Sequence, residues 1–370
     1  IDEGRINRIQ IAGAHKTKSF VILREFPLKS GDLFDVEAVE RGIDNIYGTG
    51  YFQNVRFDVH KNKSGHTHNL DIHLIEHGNT LLRGGMRYDL ERKATGFLQI
   101  IEQNFMGLGG NGYVIGMIGK RDEMLGARFW TNRLLNSYLT FSTDFSVQNS
   151  QYYFYQNHSQ VGSYHLHNLQ GSFMIGQQMR RLGTLSLRLR SEFIHMMPTS
   201  GEDVPLEKFT LVNLTLRSEV DSRDRMPFPS SGNHHIFEYE TAGGFMGSQV
   251  PYTKIYSTME SFHPLKPGII FHPKIVWGTA DLTTPYVKQF RLGGIHSFMG
   301  LPDEAFIGKR FFTVNTEIRT RIPWPGWIES YLTLRYDFGG IWGRYVKISA
   351  KDFKHGAGAL LSVNTVLGPL

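Results

Sequence analysis

His66, His68, His73 and His77 lie close together, the residue type and crowding that could hold a divalent metal. No cysteine or carboxylate cluster joins them. A polar turn carrying His66 and His68, followed by one strand face carrying His73 and His77, accounts for all four, so no metal site is expected. Ser297 next to His296 suggests a nucleophile and its base, but chain neighbours rarely reach each other productively, and no G-x-S-x-G elbow occurs. No catalytic or cofactor-binding constellation is expected. The stretch that demands an explanation is "LGGIHSFMGL", Leu292–Leu301, just ahead of the regular strand "FFTVNTEIRTRI". A loop so rich in glycine suggests backbone packed closely against something.

The chain that must position these residues has 370 of them, enough for two domains. Its mean hydropathy is −0.28, and it holds no apolar run long enough for a membrane helix. A membrane barrel is not excluded, because its strands alternate apolar and polar residues and escape any averaging scale. The net charge of +6 comes from mixed signs without a polybasic run, so no nucleic-acid partner is expected. Cysteine is absent, which suits both a reducing cytosol and an outer membrane. Ile1-Asp2-Glu3 is already polar and shows no signal peptide; an exported protein would have its true N-terminus upstream.

Residues 1–77 read as a small α+β domain. "RINRIQIAG" is a short strand ending at Gly13, and "TKSFVILREF" a short helix with Thr17 as its N-cap. "DVEAVERGIDNIYGTG" is the clearest helix: Val36, Val39, Ile43 and Ile46 share a face, Asp35 caps the start, and Gly48 or Gly50 ends it. "YFQNVRFDVH" and "NLDIHLIEH" are strands joined by "KNKSGHTH". The β-α-α-β-β order, with "YGTGYFQNVRFDV" joining helix to strand, resembles a POTRA (polypeptide-transport-associated) domain.

From Leu81 onward the chain reads strand, turn, strand, in about fifteen segments near the length of a tilted membrane strand. In "GTLSLRLRSEF" Leu185, Leu187 and Leu189 share one face, while Ser186, Arg188, Arg190 and Glu192 share the other. In "FFTVNTEIRTRI" Phe312, Val314, Thr316, Ile318, Thr320 and Ile322 oppose Thr313, Asn315, Glu317, Arg319 and Arg321. A soluble sandwich buries the apolar face; a membrane barrel turns it to lipid. Alternation does not choose between them, but so long a sheet without covering helices tends to close and remove its edges. Trp130, Tyr138, Tyr252, Trp277, Trp327 and Trp342 suit interfacial girdles, and ordinary strand packing nearly as well.

Several strings then occur in a meaningful order: "QNFMGLGGNG"; "EVDSRDRMPFPSSGNHH" with Asp221, Arg223, Asp224, Pro229 and Gly232; "LGGIHSFMGL" before "NTEIR"; "RYDFGGIWG"; and "HGAGALLSVNTVLGPL". Together they resemble the outer-membrane assembly-factor, or bacterial surface antigen, superfamily, which includes BamA, two-partner secretion translocators and the barrels of patatin-like autotransporters. The resemblance implies an all-β transmembrane barrel of about sixteen antiparallel strands, residues 78–370, with its last strand missing here. It also implies a periplasmic POTRA domain, residues 1–77, in a Gram-negative outer membrane. It implies further that the loop with Gly293, Gly294, Phe298, Met299, Gly300 and Leu301 folds inside the barrel, against an inner wall bearing Glu317, Arg319 and Asp337. The family's loop carries V-R-G-[FY]; here Met299 replaces the arginine, so the wall acids need another partner among Arg291, Lys309, Arg310, Arg319 and Arg335. The lost arginine and single POTRA domain resemble most the patatin-type members. The expected function is therefore to translocate or anchor a fused N-terminal passenger, a patatin-like lipase upstream of Ile1, with outer-membrane lipid and a polypeptide passenger or client as partners. An outer-membrane insertase or two-partner secretion translocator, and a passive pore, are the alternatives. The oligomeric state is left open.

Overall fold

The computed structural model describes residues 4–61, 67–78, 80–156, 159–179, 183–201, 204–323, 329–343, 348–365 and 368–369. His66 and Trp327 therefore lie outside the described residues. The chain divides into two compact units. One holds residues 1–84, 98–115 and 127–143; the other holds 85–97, 116–126 and 144–370.

The first unit begins with strand β1 (Arg5–Ala12), helices α1 (Ser19–Leu23) and α2 (Val36–Gly48), and strands β2 (Phe52–Lys61) and β3 (Thr67–Glu76). The sheet order is β1-β3-β2, with β1 parallel to the central β3 and β2 antiparallel to it. Alternation on β3 turns Leu70, Ile72 and Leu74 onto the helices, where they meet Ile6, Ile22, Val39 and Ile46 in a buried apolar core. Asp35 caps α2 by accepting from the backbone N–H of Glu37 at 3.0 Å. Three expectations need correction. Lys18, not Thr17, is the N-cap of α1, because the Thr17 hydroxyl is taken by Glu76. Val36, the first residue of α2, is exposed and stands outside the set Ala38, Val39, Gly42 and Ile46 that the helix buries. His68 belongs to β3 rather than a turn, and is buried beside Phe34.

The remaining chain is dominated by one sheet. Its strands are β4 (Thr80–Asp89), β5 (Lys93–Glu102), β6 (Asn111–Gly119), β7 (Asp122–Thr131), β8 (Leu139–Gln156), β9 (Ser159–Met179) and β10 (Gly183–Ser200). They continue through β11 (Glu207–Asp221), β12 (Gly232–Ala242), β13 (Tyr252–Lys266) and β14 (Ile269–Ala280). A small ribbon, β15 (Phe290–Leu292) with β16 (Phe306–Gly308), stands apart before β17 (Arg310–Ile322), β18 (Glu329–Trp342), β19 (Lys354–Thr365) and the two-residue β20 (Gly368–Pro369). Among the described residues the sheet has fifteen strands, each beside its chain neighbour once the ribbon is set aside.

In this second unit the sense of alternation is reversed relative to a soluble core. Leu187 is 47% exposed while Glu192 is 2% exposed. The bare face is apolar across strands: Leu187 lies opposite Leu216 on one side and Ile175 on the other. The covered face carries Ser186, Asn213, Thr215, Thr313, Asn315, Arg319, Arg335 and Asp337, all buried. One of the aromatic residues offered for the girdles points to this covered face instead. Tyr252 is buried and donates to Glu240 at 2.6 Å, on the polar parity of its strand. Trp342 keeps the apolar parity of Leu332, Leu334 and Tyr336, and is buried there edge-on to Phe353.

Candidate functional site

The loop between β15 and β16 is a tight turn built on glycine. Gly293, Gly294 and Gly300 have φ of +131°, +83° and +80°, a region costly for other residues. The first two also lack space: a Cβ on Gly293 would sit 2.0 Å from the Pro302 carbonyl oxygen, and one on Gly294 2.6 Å from Asp303 Oδ1. Around Gly300 the space is open, so it serves the backbone angle alone. The turn is closed by Gly294 N–H donating to Leu301 O and Phe298 N–H donating to Gly294 O, both 2.9 Å.

Its tip sits on the polar face of β17, β18 and β19. Phe298 is fully buried. The Met299 N–H donates to Asp337 Oδ2 at 2.7 Å. Asn315, opposite Asp337 in register, donates to Asp337 Oδ1 at 2.7 Å and to the Ser297 carbonyl at 3.1 Å. Arg335 donates from Nε to Asp337 Oδ1 at 2.7 Å, and from its two terminal nitrogens to Ile295 O at 2.8 Å and Ser297 O at 3.1 Å. The same guanidinium lies 3.6 Å from Glu317, its cross-strand neighbour. Room for the tip comes from β19. A Cβ on Gly356 would sit 2.2 Å from Met299 O, and one on Gly358 would sit 2.3 Å from Met299 Cε.

Of the sequence-selected residues, the structure brings Met299 and Asp337 into direct contact, with Phe298 buried beside Gly356 and Glu317 joined to the loop through Arg335. Arg319 is on the same face but touches the 221–232 turn, donating to the Pro229 carbonyl. In that turn Arg223 pairs with Asp221 at 2.6 Å, and Asp224 accepts from the Ser230 and Ser231 amides. Gly232 has φ +100° and leaves no room for a Cβ against Ser222 O. Ser297 is engaged through its backbone carbonyl, which accepts from Asn315 and Arg335. Among the histidines, His73 lies 3.3 Å from Asp58, His77 bonds the Gly78 carbonyl, and His68 is buried apart from them. No metal-binding group forms among the described residues.

Three contributors escaped the sequence reading: Asn315, Gly356 and Gly358. A G-x-G pair on an inward-facing parity was the available signal for the glycines. The loop's far side is anchored too. Arg92 bonds Asp303 at 2.7 Å and Asp122 at 2.9 Å, and Arg291 pairs with Glu304 at 3.1 Å and donates to Tyr164 Oη at 2.9 Å.

The first unit has its own polar joint. Glu76 accepts from the Thr17 amide and hydroxyl and from the Lys16 and His15 amides. Partial burial pushes its carboxyl up, but these hydrogen bonds outweigh burial and hold it below the usual carboxylate range. Asn104, in a left-handed conformation, donates to the Thr17 hydroxyl at 2.7 Å. At Gly107, where the Lys18 N–H donates to the carbonyl, a Cβ would strike the Lys16 carbonyl. The "QNFMGLGGNG" motif is thus a fitted contact for the 15–18 segment.

Residues 104–370 match the Omp85 superfamily domain, and residues 4–77 the surface antigen variable number repeat, the POTRA domain. The outer membrane protein assembly factor BamA of Nitratidesulfovibrio vulgaris is 23% identical over 308 residues, 80% of this chain and 37% of that protein. A relative from Treponema pallidum is 26% identical over 168 residues, 44% of this chain and 20% of its own length. The chain thus spans well under half the length of these curated relatives. BamA from Haemophilus ducreyi lacking POTRA domains 1–3 has a similar structure, with TM-score 0.85 at 13% identity over 99% of this chain and 79% of that one. CdiB from Escherichia coli gives TM-score 0.63 at 14% identity over 98% and 70%. These likenesses identify the fold: the large sheet is a barrel wall, its polar face toward the lumen and its apolar face toward lipid.

Proposed function

Given that the chain belongs to the Omp85 superfamily, we propose that it handles polypeptide clients, assembling other barrels into the membrane that holds it. That membrane is the Gram-negative outer membrane, with the POTRA domain in the periplasm. The carrying observation is the loop seat. The fully buried Phe298, and an Arg335 bound to two loop carbonyls, occupy lumen space that a passive pore would keep clear. In this reading residues 1–77 receive the client and residues 78–370 form the barrel that inserts it. The edge strand β2 offers main-chain groups along one side, to which an extended client segment can add. No catalytic chemistry is assigned to the chain.

The test is insertion of an unfolded client barrel into liposomes containing the purified full chain. Faster acquisition of protease protection than in empty liposomes supports the proposal, and Val55→Pro in β2 should abolish the acceleration while leaving this barrel folded. Equal rates with and without the protein would overturn it. A second reading, anchoring of a fused patatin-like passenger, is favoured by Met299, where the superfamily's loop motif has arginine. It predicts surface display of an N-terminally fused passenger without acceleration of any separate client.

A further inference from the structure

The lumen face beside the 221–232 and 266–269 turns holds a cavity of about 550 Å³. Arg225, Lys266, Arg319 and Arg321 line it, and no acidic residue does. Arg319 is 8% exposed, and its Nε has no hydrogen-bond partner among the described residues. What it does touch is neutral: the Pro229 carbonyl, and the rings of Phe228 and Tyr331 at 5.8 and 5.4 Å. Arg225 is partly answered by Glu329 at 3.4 Å and by the Tyr331 hydroxyl at 3.0 Å. Lys266 and Arg321 form no ion pair among the described residues. A buried cation is ordinarily paired, because desolvation without a counter-charge costs several kcal/mol. Glu317 and Asp224 act on Arg319 from a distance without bonding it, so the lining of the recess itself stays one-signed.

We propose that this recess is an oxyanion site that takes a carboxylate or phosphate group carried on a small apolar body. The guanidinium of Arg319 suits a planar or tetrahedral oxyanion, which would answer the buried charge. Pro264, Leu265 and Ile270 supply an apolar wall for the rest of the ligand. The volume lies in the range of small-molecule sites. Because the recess is on the lumen face, a free anion or the carboxylate end of a peptide can reach it.

The test uses the full chain purified in detergent and calorimetric titration with three probes: inorganic phosphate, a short apolar peptide with a free C-terminal carboxylate, and the same peptide amidated. We expect the carboxylate peptide or phosphate to bind and the amide to bind about tenfold more weakly or not at all, as loss of a charge-assisted bond implies. Preference for the carboxylate peptide over the amide assigns the source as a chain end; phosphate binding with neither peptide bound assigns a free anion. Arg319→Met should abolish either response. It should also leave the ligand-free barrel at least as heat-resistant as the wild type, since it removes a buried charge that no carboxylate bonds. Arg321→Gln, at the exposed rim, should weaken binding and reduce its salt dependence while leaving the fold intact. Absence of binding by both anions, equal binding of the amide, or unchanged binding by Arg319→Met would each overturn the proposal.

Discussion

Leu70 and Leu187 are both leucines at alternate positions of a β-strand, yet the first has no exposed surface and the second is 47% exposed. Their strands follow opposite rules. In the POTRA module the apolar parity faces the helices and water takes the other side. In the barrel the polar parity is enclosed and lipid takes the apolar side. Stability in the module therefore rests on area removed from water. Inside the barrel wall it rests on satisfying groups already enclosed, where an unmet partner costs more than a met one returns.

This contrast can be broken most sharply at Arg335. Arg335→Ala leaves Asp337, which is fully buried, without its guanidinium and frees the Ile295 and Ser297 carbonyls. A loss of roughly 3–5 kcal/mol is expected, read as a lower temperature for the heat-modified gel shift, together with higher conductance as the loop loosens. Unchanged melting would mean that the enclosed polar network contributes little. In the module the matching cut is apolar. Leu70→Ala should cost about 2–5 kcal/mol, seen as faster hydrogen exchange of β1 and β3 amides in the full chain, with the barrel's gel shift unaltered.

The outer face gives the next test. Leu187→Arg should destabilise the barrel by about 2–4 kcal/mol if the site is near the bilayer midplane, and less toward either interface. Were Leu187 facing water, the substitution would be nearly silent. The smallest effect concerns Glu76. Its carboxyl titrates below the ordinary range in the folded state, so its contribution is fully present above that range and is lost as pH falls through the lowered value. Acidification through the ordinary carboxylate range and below it should therefore loosen the 15–18 segment, measured by exchange of the Lys16 and Thr17 amides. Glu76→Gln should show that loosening already at neutral pH and no further change on acidification.

The loop seat was partly legible. Glycines 293, 294 and 300 announced a constrained backbone, and Glu317 and Asp337 announced wall acids needing a partner. Which cation answers them was not legible, because five were available and the choice depends on cross-strand register. Arg335 lies opposite Glu317 and two residues from Asp337 on the same face, so one guanidinium reaches both. Thr17 was misread for a related reason. A threonine before a helix is a good cap, but Glu76, remote in sequence, offers its hydroxyl a charged acceptor at 2.6 Å.

By itself the sequence determined what is local or periodic: the β-α-α-β-β order, the Asp35 cap, the succession of alternating strands and the glycine-dependent turns. These follow from backbone sterics and from a period of two, and need no knowledge of distant residues. Tertiary structure decided the sense of that alternation, because a period-two pattern is unchanged when its faces are exchanged, and only the folded sheet shows which face is buried. It also decided the pairing of Arg335 with the loop carbonyls and the surplus of charge around Arg319. Both depend on strands distant in the chain arriving in one register on one face.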